Sequence, residues 1–68
     1  MFKTITLKPT KEKSILRRHP WVFSGAIKAI ENGISNGDIV EIKSNKGRFL
    51  GYGHYNESSI AIRIFELN

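Results

Sequence analysis

The chain has 68 residues and no cysteine, and its eleven Lys and Arg against six Asp and Glu give a formal net charge of +5 and an isoelectric point near 9.9. This length allows one domain with a small core, and the lack of cysteine excludes disulfides, thiolate metal sites and cysteine nucleophiles. No stretch approaches the roughly 20 apolar residues of a membrane span, and the N-terminus lacks the apolar segment of a signal peptide. A small basic domain suits an anionic partner such as nucleic acid, although net charge also serves solubility.

The sequence of the first third of the chain predicts a strand followed by a short helix. Phe2–Lys8 is rich in β-branched residues, which favour a strand. Thr10 is placed to act as the N-cap of a helix over Lys11–Arg18. Pro20 cannot continue that helix, and it directs His19 towards an extended conformation.

The rest of the chain predicts short strands separated by Asn-Gly and polar turns. Besides the extended aromatic stretch after Pro20, these strands are Gly25–Glu31, Asp38–Ser44, Arg48–Tyr55 and Ile60–Phe65. In the last strand, alternation places Ile60, Ile62 and Ile64 on the core face and Ala61, Arg63 and Phe65 on the other. Gly51 and Gly53 lie within one strand, which is typical of a small sheet that curls into a barrel. The sequence therefore predicts a mainly β pseudo-barrel of about five to six short strands with one helix near the N-terminus.

No arrangement of residues indicates catalysis. Gly51-Tyr52-Gly53 is followed by strand rather than helix, so it is not a cofactor loop. His19 and His54 lack the spacing of metal ligands, and Ser24-Gly25 lacks the pattern of a nucleophile elbow. The sequence therefore predicts a non-enzymatic chain without catalytic residues, metal or cofactor.

Basic residues are concentrated around the predicted helix and recur near the sheet turns. They are Lys8, Lys11, Lys13, Arg17, Arg18 and His19, followed by Lys46, Arg48 and Arg63. Together they could form a cationic face that contacts phosphates. They could equally be a solvated helix with scattered surface charge, and the residues alone leave both interpretations open.

The aromatic residues after Pro20 also allow two interpretations. Trp21 and Phe23 share one strand face and Val22 occupies the other. Exposed aromatic rings stack on unpaired bases, but a core this small needs large side chains. We therefore interpret Trp21 and Phe23 as core or domain-interface residues, and Phe49 and Phe65 as packing residues. If Trp21 and Phe23 are exposed in the isolated chain, they form an apolar patch that is suited to contact with another domain.

Three segments resemble one known domain. They are LKPTKEKSILRRHPWVFSGAI (Leu7–Ile27), GDIVEIKSNKGRFLGYGHYN (Gly37–Asn56) and SIAIRIF (Ser59–Phe65). Their order and spacing are similar to the N-terminal PUA domain of bacterial class I S-adenosylmethionine-dependent RNA methyltransferases, a group that includes the 23S ribosomal RNA cytosine-C5 methyltransferase. Thr10 departs from the glycine that is more usual in that family.

The resemblance implies a PUA fold over residues 1–68, as an N-terminal RNA-binding domain of a longer cytoplasmic methyltransferase. It implies structured RNA, ribosomal RNA in particular, and the C-terminal domains of the same protein as partners, with no membrane or metal. S-adenosylmethionine would be bound by the missing methyltransferase domain. The RNA-binding residues carried over are Lys11, Lys13, Arg17, Arg18, His19, Gly25 and Arg63. The alternatives are a packing or dimerisation domain without RNA contact and, as the least favoured, a catalytic fragment.

Overall fold

Six β-strands, one short α-helix and one 3-10 turn make up the computed structural model, which describes residues 2–17 and 19–67. In chain order they are β1 (Lys3–Leu7), α1 (Glu12–Leu16), β2 (Trp21–Phe23), the 3-10 turn η1 (Ser24–Ala26), β3 (Ile27–Ile30), β4 (Ile39–Lys43), β5 (Phe49–Tyr55) and β6 (Ile60–Leu67). The predicted strands are confirmed, with ends that differ by no more than two residues. Gly25 and Ala26 were predicted to begin a strand, but they form η1 instead.

The six strands form one sheet in the order β2-β6-β5-β4-β1-β3. β1 and β4 run parallel, and the other neighbouring pairs run antiparallel. The two edge strands, β2 and β3, are joined by η1 alone. A flat sheet would hold its edges about 24 Å apart, or five interstrand spacings, whereas the chain from Phe23 to Ile27 reaches at most about 14 Å. The sheet therefore has to curl, which confirms the predicted pseudo-barrel.

The neighbouring strands β5 and β6 approach each other closely at two glycines. A Cβ atom on Gly53 would lie 2.5 Å from Cγ2 of Ile62 and 2.8 Å from the carbonyl oxygen of Arg63. A Cβ atom on Gly51 would meet the carbonyl oxygen of Glu66. Both glycines are buried, so they serve a close backbone approach within the sheet.

The core of this small barrel is aliphatic. Among the residues whose side-chain burial the structure describes, the buried hydrophobic ones are Ile5, Leu7, Ile15, Val22, Val40, Ile42, Leu50, Ala61 and Ile62. They come from α1 and from five of the six strands. The seven aromatic residues of the described chain are all half-buried or exposed. The buried side chains are therefore aliphatic, and the half-buried Tyr55 packs against them.

The predicted alternation along β6 is correct only in part. Ile62 is fully buried, and the half-buried Ile64 packs against the core, but Ile60 is only half-buried. Val22 pairs with Ile62 and Phe23 with Ile60, so Ala61 is the extra residue of a β-bulge. A bulge breaks the period of two, and Ala61 and Ile62 are therefore buried in succession.

The helical segment is shorter than the sequence predicts. The helix expected over residues 11–18 amounts to the five residues of α1, and Arg18 lies outside the described residues. Thr10 has a φ of 68°, whereas an N-cap residue is extended, so the predicted N-cap is wrong. This left-handed backbone favours glycine, the residue that the resemblance leads one to expect there.

Candidate functional site

A surface groove of about 340 Å³ opens between α1, β2 and η1. We call it the Trp21 groove, and it is lined by Lys11, Ile15, Trp21, Val22, Phe23, Gly25 and Ala26. Ile15 and Val22 are buried and form its base, while Lys11 and the two aromatic residues are exposed at its rim. The groove therefore combines an apolar floor with one cation and two rings.

Gly25 leaves one wall of the groove without a side chain. A Cβ atom built on it would meet no other atom within 4 Å. The residue is exposed in η1, so its backbone is accessible to a ligand. Backbone groups of this kind contact phosphate and sugar oxygens in nucleic-acid complexes.

Trp21 connects the groove to the neighbouring strand. Its ring is 43% exposed, and the guanidinium carbon of Arg63 lies 5.9 Å from the ring centroid. Trp21 and Arg63 are cross-strand partners between β2 and β6. This distance is within the range of a cation–π interaction, which holds a positive charge over the aromatic face.

His19 also lies close to Trp21. The two rings are 6.3 Å apart and nearly perpendicular, at 79°. Nδ1 of His19 lies 3.3 Å from both the backbone nitrogen and the carbonyl oxygen of Trp21. It accepts from the N–H in one tautomer and donates to the carbonyl in the other. The adjacent Pro20 carbonyl accepts a hydrogen bond of 2.7 Å from the amide of Ile64, which attaches this segment to β6.

The structure brings together four of the seven predicted RNA-binding residues. Lys11 and Gly25 line the Trp21 groove, and His19 and Arg63 both contact Trp21. Lys13 and Arg17 are exposed in and just after α1, and the amide of Arg17 donates to the carbonyl of Lys13. Arg18 was also predicted, but it lies outside the described residues. The role of all seven in RNA contact stays a prediction.

Sequence reasoning missed the aromatic part of the site. Trp21 is 43% and Phe23 50% exposed, so they are not core residues, and their interpretation as domain-interface residues stays a prediction. Phe65 was predicted to pack, and it is 52% exposed. The alternation of Val22 with the two rings was recognised, but it does not say which face is inward, and the structure buries Val22 and turns the rings outward.

These features define a small β pseudo-barrel with a cationic and aromatic surface groove. The chain belongs to the PUA-like domain family, whose family model matches residues 5–67.

Curated relatives are much longer than this chain. A ribosomal RNA large subunit methyltransferase I from Pseudoalteromonas atlantica is 42% identical over 66 residues, which is 96% of this chain and 17% of the relative. The protein of the same name from Aeromonas salmonicida is 49% identical over 55 residues, which is 81% of this chain and 14% of the relative. The chain therefore spans less than a fifth of each of these two relatives.

Solved structures share the fold. One is an H/ACA ribonucleoprotein bound to a substrate RNA containing 2'-deoxyuridine, with a TM-score of 0.80 and 17% identity over 97% of this chain and 23% of that one. Another is the archaeal box H/ACA Nop10–Cbf5 complex, with a TM-score of 0.79 and 19% identity over 97% of this chain and 24% of that one.

Within residues 2–17 and 19–67, no helix is long and apolar enough to cross a membrane.

Proposed function

We propose that this chain is a non-catalytic RNA-binding module that docks structured ribosomal RNA for a methyltransferase domain outside these 68 residues. The observation that carries the proposal is the Trp21 groove, where an exposed ring lies under Arg63 and beside Lys11 and Gly25. Support also comes from the names of the relatives, which are ribosomal RNA methyltransferases, and from a fold neighbour bound to RNA.

Charge favours an RNA partner for this groove. The net charge of the chain is +5, and within the described residues the one ion pair joins Lys3 to Glu31. No described carboxylate therefore lies within ion-pair distance of Lys11 or Arg63. Cations on an accessible surface contact phosphates and release counterions, and this supplies much of the affinity for RNA. Side chains read the deep major groove of A-form RNA poorly, so shape and backbone contacts would dominate.

Gly51 and Gly53 lie within β5 and do not form a cofactor loop. Both are buried against β6 in the sheet, whereas a cofactor loop needs glycines that open a helix. In this proposal the cofactor S-adenosylmethionine, which supplies the methyl group, therefore belongs to the domain outside this chain. The residues here bind and orient RNA and take no part in methyl transfer.

A packing or dimerisation domain is the second candidate. Trp21 and Phe23 are 43% and 50% exposed, and exposed apolar side chains on one strand suit contact with another protein surface. The cations around Trp21 weigh against this candidate, because an apolar contact would have to desolvate them.

The test is a titration of the isotope-labelled chain with a structured ribosomal RNA fragment, followed by amide chemical shifts at about 50 and 200 mM salt. We expect shifts over residues 11–25 and at Arg63 that weaken at the higher salt concentration. Each phosphate contact should contribute roughly 0.7 to 0.9 to the slope of log affinity against log salt.

A matched pair of variants makes the test specific. Lys11→Ala and Lys3→Ala each remove one charge, but Lys11 lines the groove. The end of β1 near η1 is its C-terminal end, because the amide of Lys8, just after β1, donates to the carbonyl of Ala26. Lys3 is at the opposite end of β1. We expect Lys11→Ala to reduce the salt slope and Lys3→Ala to leave it nearly unchanged. If no shift appears at low salt with excess RNA, the proposal is wrong and the packing candidate replaces it.

A further inference from the structure

Two turns between β3 and β4 carry the sequence Asn-Gly, and their hydrogen bonds differ. The turns are Asn32-Gly33 and Asn36-Gly37, and all four residues are exposed. In such a pair the backbone nitrogen of the glycine can attack the side-chain amide of the asparagine, because glycine has no Cβ atom to obstruct the approach. Exposure does not distinguish the two turns, so hydrogen bonding and charge decide which one reacts.

The Asn36-Gly37 turn is held at both of the groups that would react. The side-chain oxygen Oδ1 of Asn36 accepts a hydrogen bond of 2.7 Å from the amide of Glu57. The amide of Gly37 donates a hydrogen bond of 2.7 Å to the carbonyl oxygen of Tyr55, the last residue of β5. The side chain and the attacking nitrogen therefore cannot turn towards each other without losing these bonds.

The Asn32-Gly33 turn is anchored on both sides but not at its reacting groups. The carboxylate of Glu31 accepts from the amide of Thr4, and the amide of Glu31 donates to the carbonyl of Thr4. Ile34, on the other side of the turn, packs against the core. Among the hydrogen bonds between described residues, none involves the side chain of Asn32 or the amide of Gly33. Attack at this turn therefore breaks none of these bonds.

The ammonium group of Lys3 lies over the Asn32-Gly33 turn. A Cβ atom built on Gly33 would lie 3.2 Å from Cε and 3.5 Å from Nζ of Lys3, whereas one built on Gly37 would meet nothing within 4 Å. The carboxylate of Glu31 is 3.8 Å from the same Nζ, and both side chains are about half exposed. A cation at this position stabilises the negative charge that develops on the Gly33 nitrogen as it loses its proton.

We propose that Asn32 is a site of spontaneous covalent modification, at which the side-chain amide is converted to a carboxylate. The nitrogen of Gly33 loses its proton and forms a bond to Cγ of Asn32, the bond from Cγ to Nδ2 breaks, and ammonia leaves with that proton. Water then opens the resulting five-membered imide, at Cγ to give aspartate or at the main-chain carbonyl carbon to give isoaspartate. The modification goes beyond the proposed function and does not depend on it.

The product changes both the charge and the backbone of the turn. A carboxylate at position 32 removes one unit from the net charge of +5, so cation-exchange chromatography separates the product from the unmodified chain. An isoaspartyl link also adds one atom to the main chain between Glu31 and Ile34, whose contacts fix the two sides of the turn.

The experiment ages the folded chain at mildly alkaline pH and follows both asparagines in one peptide. Trypsin cleaves after Lys28 and Lys43, so residues 29–43 are released together, and the masses of the fragments assign the converted residue. The same peptide, aged in isolation, is the unfolded reference. Since each of the two hydrogen bonds at Asn36 corresponds to a factor of a few in rate, we expect the ratio of the Asn32 rate to the Asn36 rate to be at least about fivefold higher in the folded chain.

A matched pair of variants tests the contribution of the cation. Lys3→Gln removes the ammonium group over the turn, and Lys28→Gln removes an exposed charge elsewhere on the sheet, in β3. We expect Lys3→Gln to slow the conversion of Asn32 by about threefold and Lys28→Gln to leave it unchanged. Circular dichroism verifies that both variants are folded.

The results that would overturn the inference are specific. If the ratio of the two rates is the same in the folded chain and in the isolated peptide, the fold does not select Asn32. Faster conversion of Asn36 in the folded chain would reverse the assignment. If Asn32 is selected but Lys3→Gln does not slow its conversion, Lys3 is excluded from the site.

Discussion

Arg63 holds its guanidinium carbon 5.9 Å from the centroid of the Trp21 ring. The two residues are cross-strand partners, and β2, which carries Trp21, has β6 as its one neighbour in the sheet. The contact therefore does two things at once. It places a cation over the aromatic face, and it joins the three-residue edge strand to the rest of the domain.

A double-mutant cycle measures this contact. Trp21→Leu, Arg63→Gln and the double variant are compared by urea denaturation, and we expect a coupling of about 0.5–1 kcal/mol, as for an exposed cation–π pair. A cycle of Arg63→Gln with Phe2→Leu is the control, and its effects should add, because Phe2 contacts Tyr52 instead. Equal coupling in both cycles would refute a specific Arg63–Trp21 interaction.

Replacing Thr10 with glycine should stabilise the domain. A φ of 68° costs a residue with a Cβ about 1–2 kcal/mol, whereas the extra freedom of glycine when unfolded costs roughly 0.5–1 kcal/mol. We expect Thr10→Gly to raise the melting temperature by about 4 °C in thermal unfolding followed by circular dichroism. The control Thr6→Gly, inside β1, should lower it. A decrease for both variants would show that Thr10 is not strained.

Gly53→Ala should unfold the domain or destabilise it severely. The new methyl group would enter the contact between β5 and β6, at 2.5 Å from Ile62, and overpacking of this kind costs about 1–3 kcal/mol. Gly25→Ala is the matched control, since a Cβ there meets nothing within 4 Å. We expect chemical denaturation to show a loss for Gly53→Ala and a change within about 0.5 kcal/mol for Gly25→Ala. Similar losses for the two variants would contradict the close approach of β5 and β6.

Charge reversal at Arg17 tests whether the RNA surface reaches beyond the groove. Arg17 is exposed directly after α1, so Arg17→Glu should preserve the fold and repel phosphates. We expect the affinity for the structured RNA fragment to fall at least tenfold at about 50 mM salt, and less at about 200 mM. Lys28→Glu, at an exposed residue of β3, is the comparison for the same change in net charge. An equal loss there would mean that bulk charge, rather than this surface, governs binding.

The strands were predictable because their signals are local. Asn32-Gly33, Asn36-Gly37 and the turn before Gly47 adopt turns where expected, and each of these glycines has a positive φ. Alternation of side chains then indicated which residues face inward. It failed at Ala61, because a bulge depends on how β2 and β6 pair and not on the sequence of β6 alone.

The basic residues of the candidate site could be predicted from the sequence, but the exposure of its aromatic rings could not. Lys11, Gly25 and Arg63 followed from the position of the basic residues and from the resemblance, and the structure places them around Trp21. The exposure of Trp21 and Phe65 depends on the aliphatic side chains that fill the core. Whether aliphatic side chains suffice for that core is a property of the whole packed domain, so no short segment indicates it.

The strand order also determines when the site can form. During synthesis, at about 5–20 residues per second, β1, β3, β4 and β5 can pair with one another as they leave the ribosome. β2 has to wait, because its one neighbour is β6, the last strand to be made. The rim residues Trp21 and Phe23 therefore stay unpaired until β6 emerges, and a nascent chain that ends at β5 lacks the strand with which β2 has to pair.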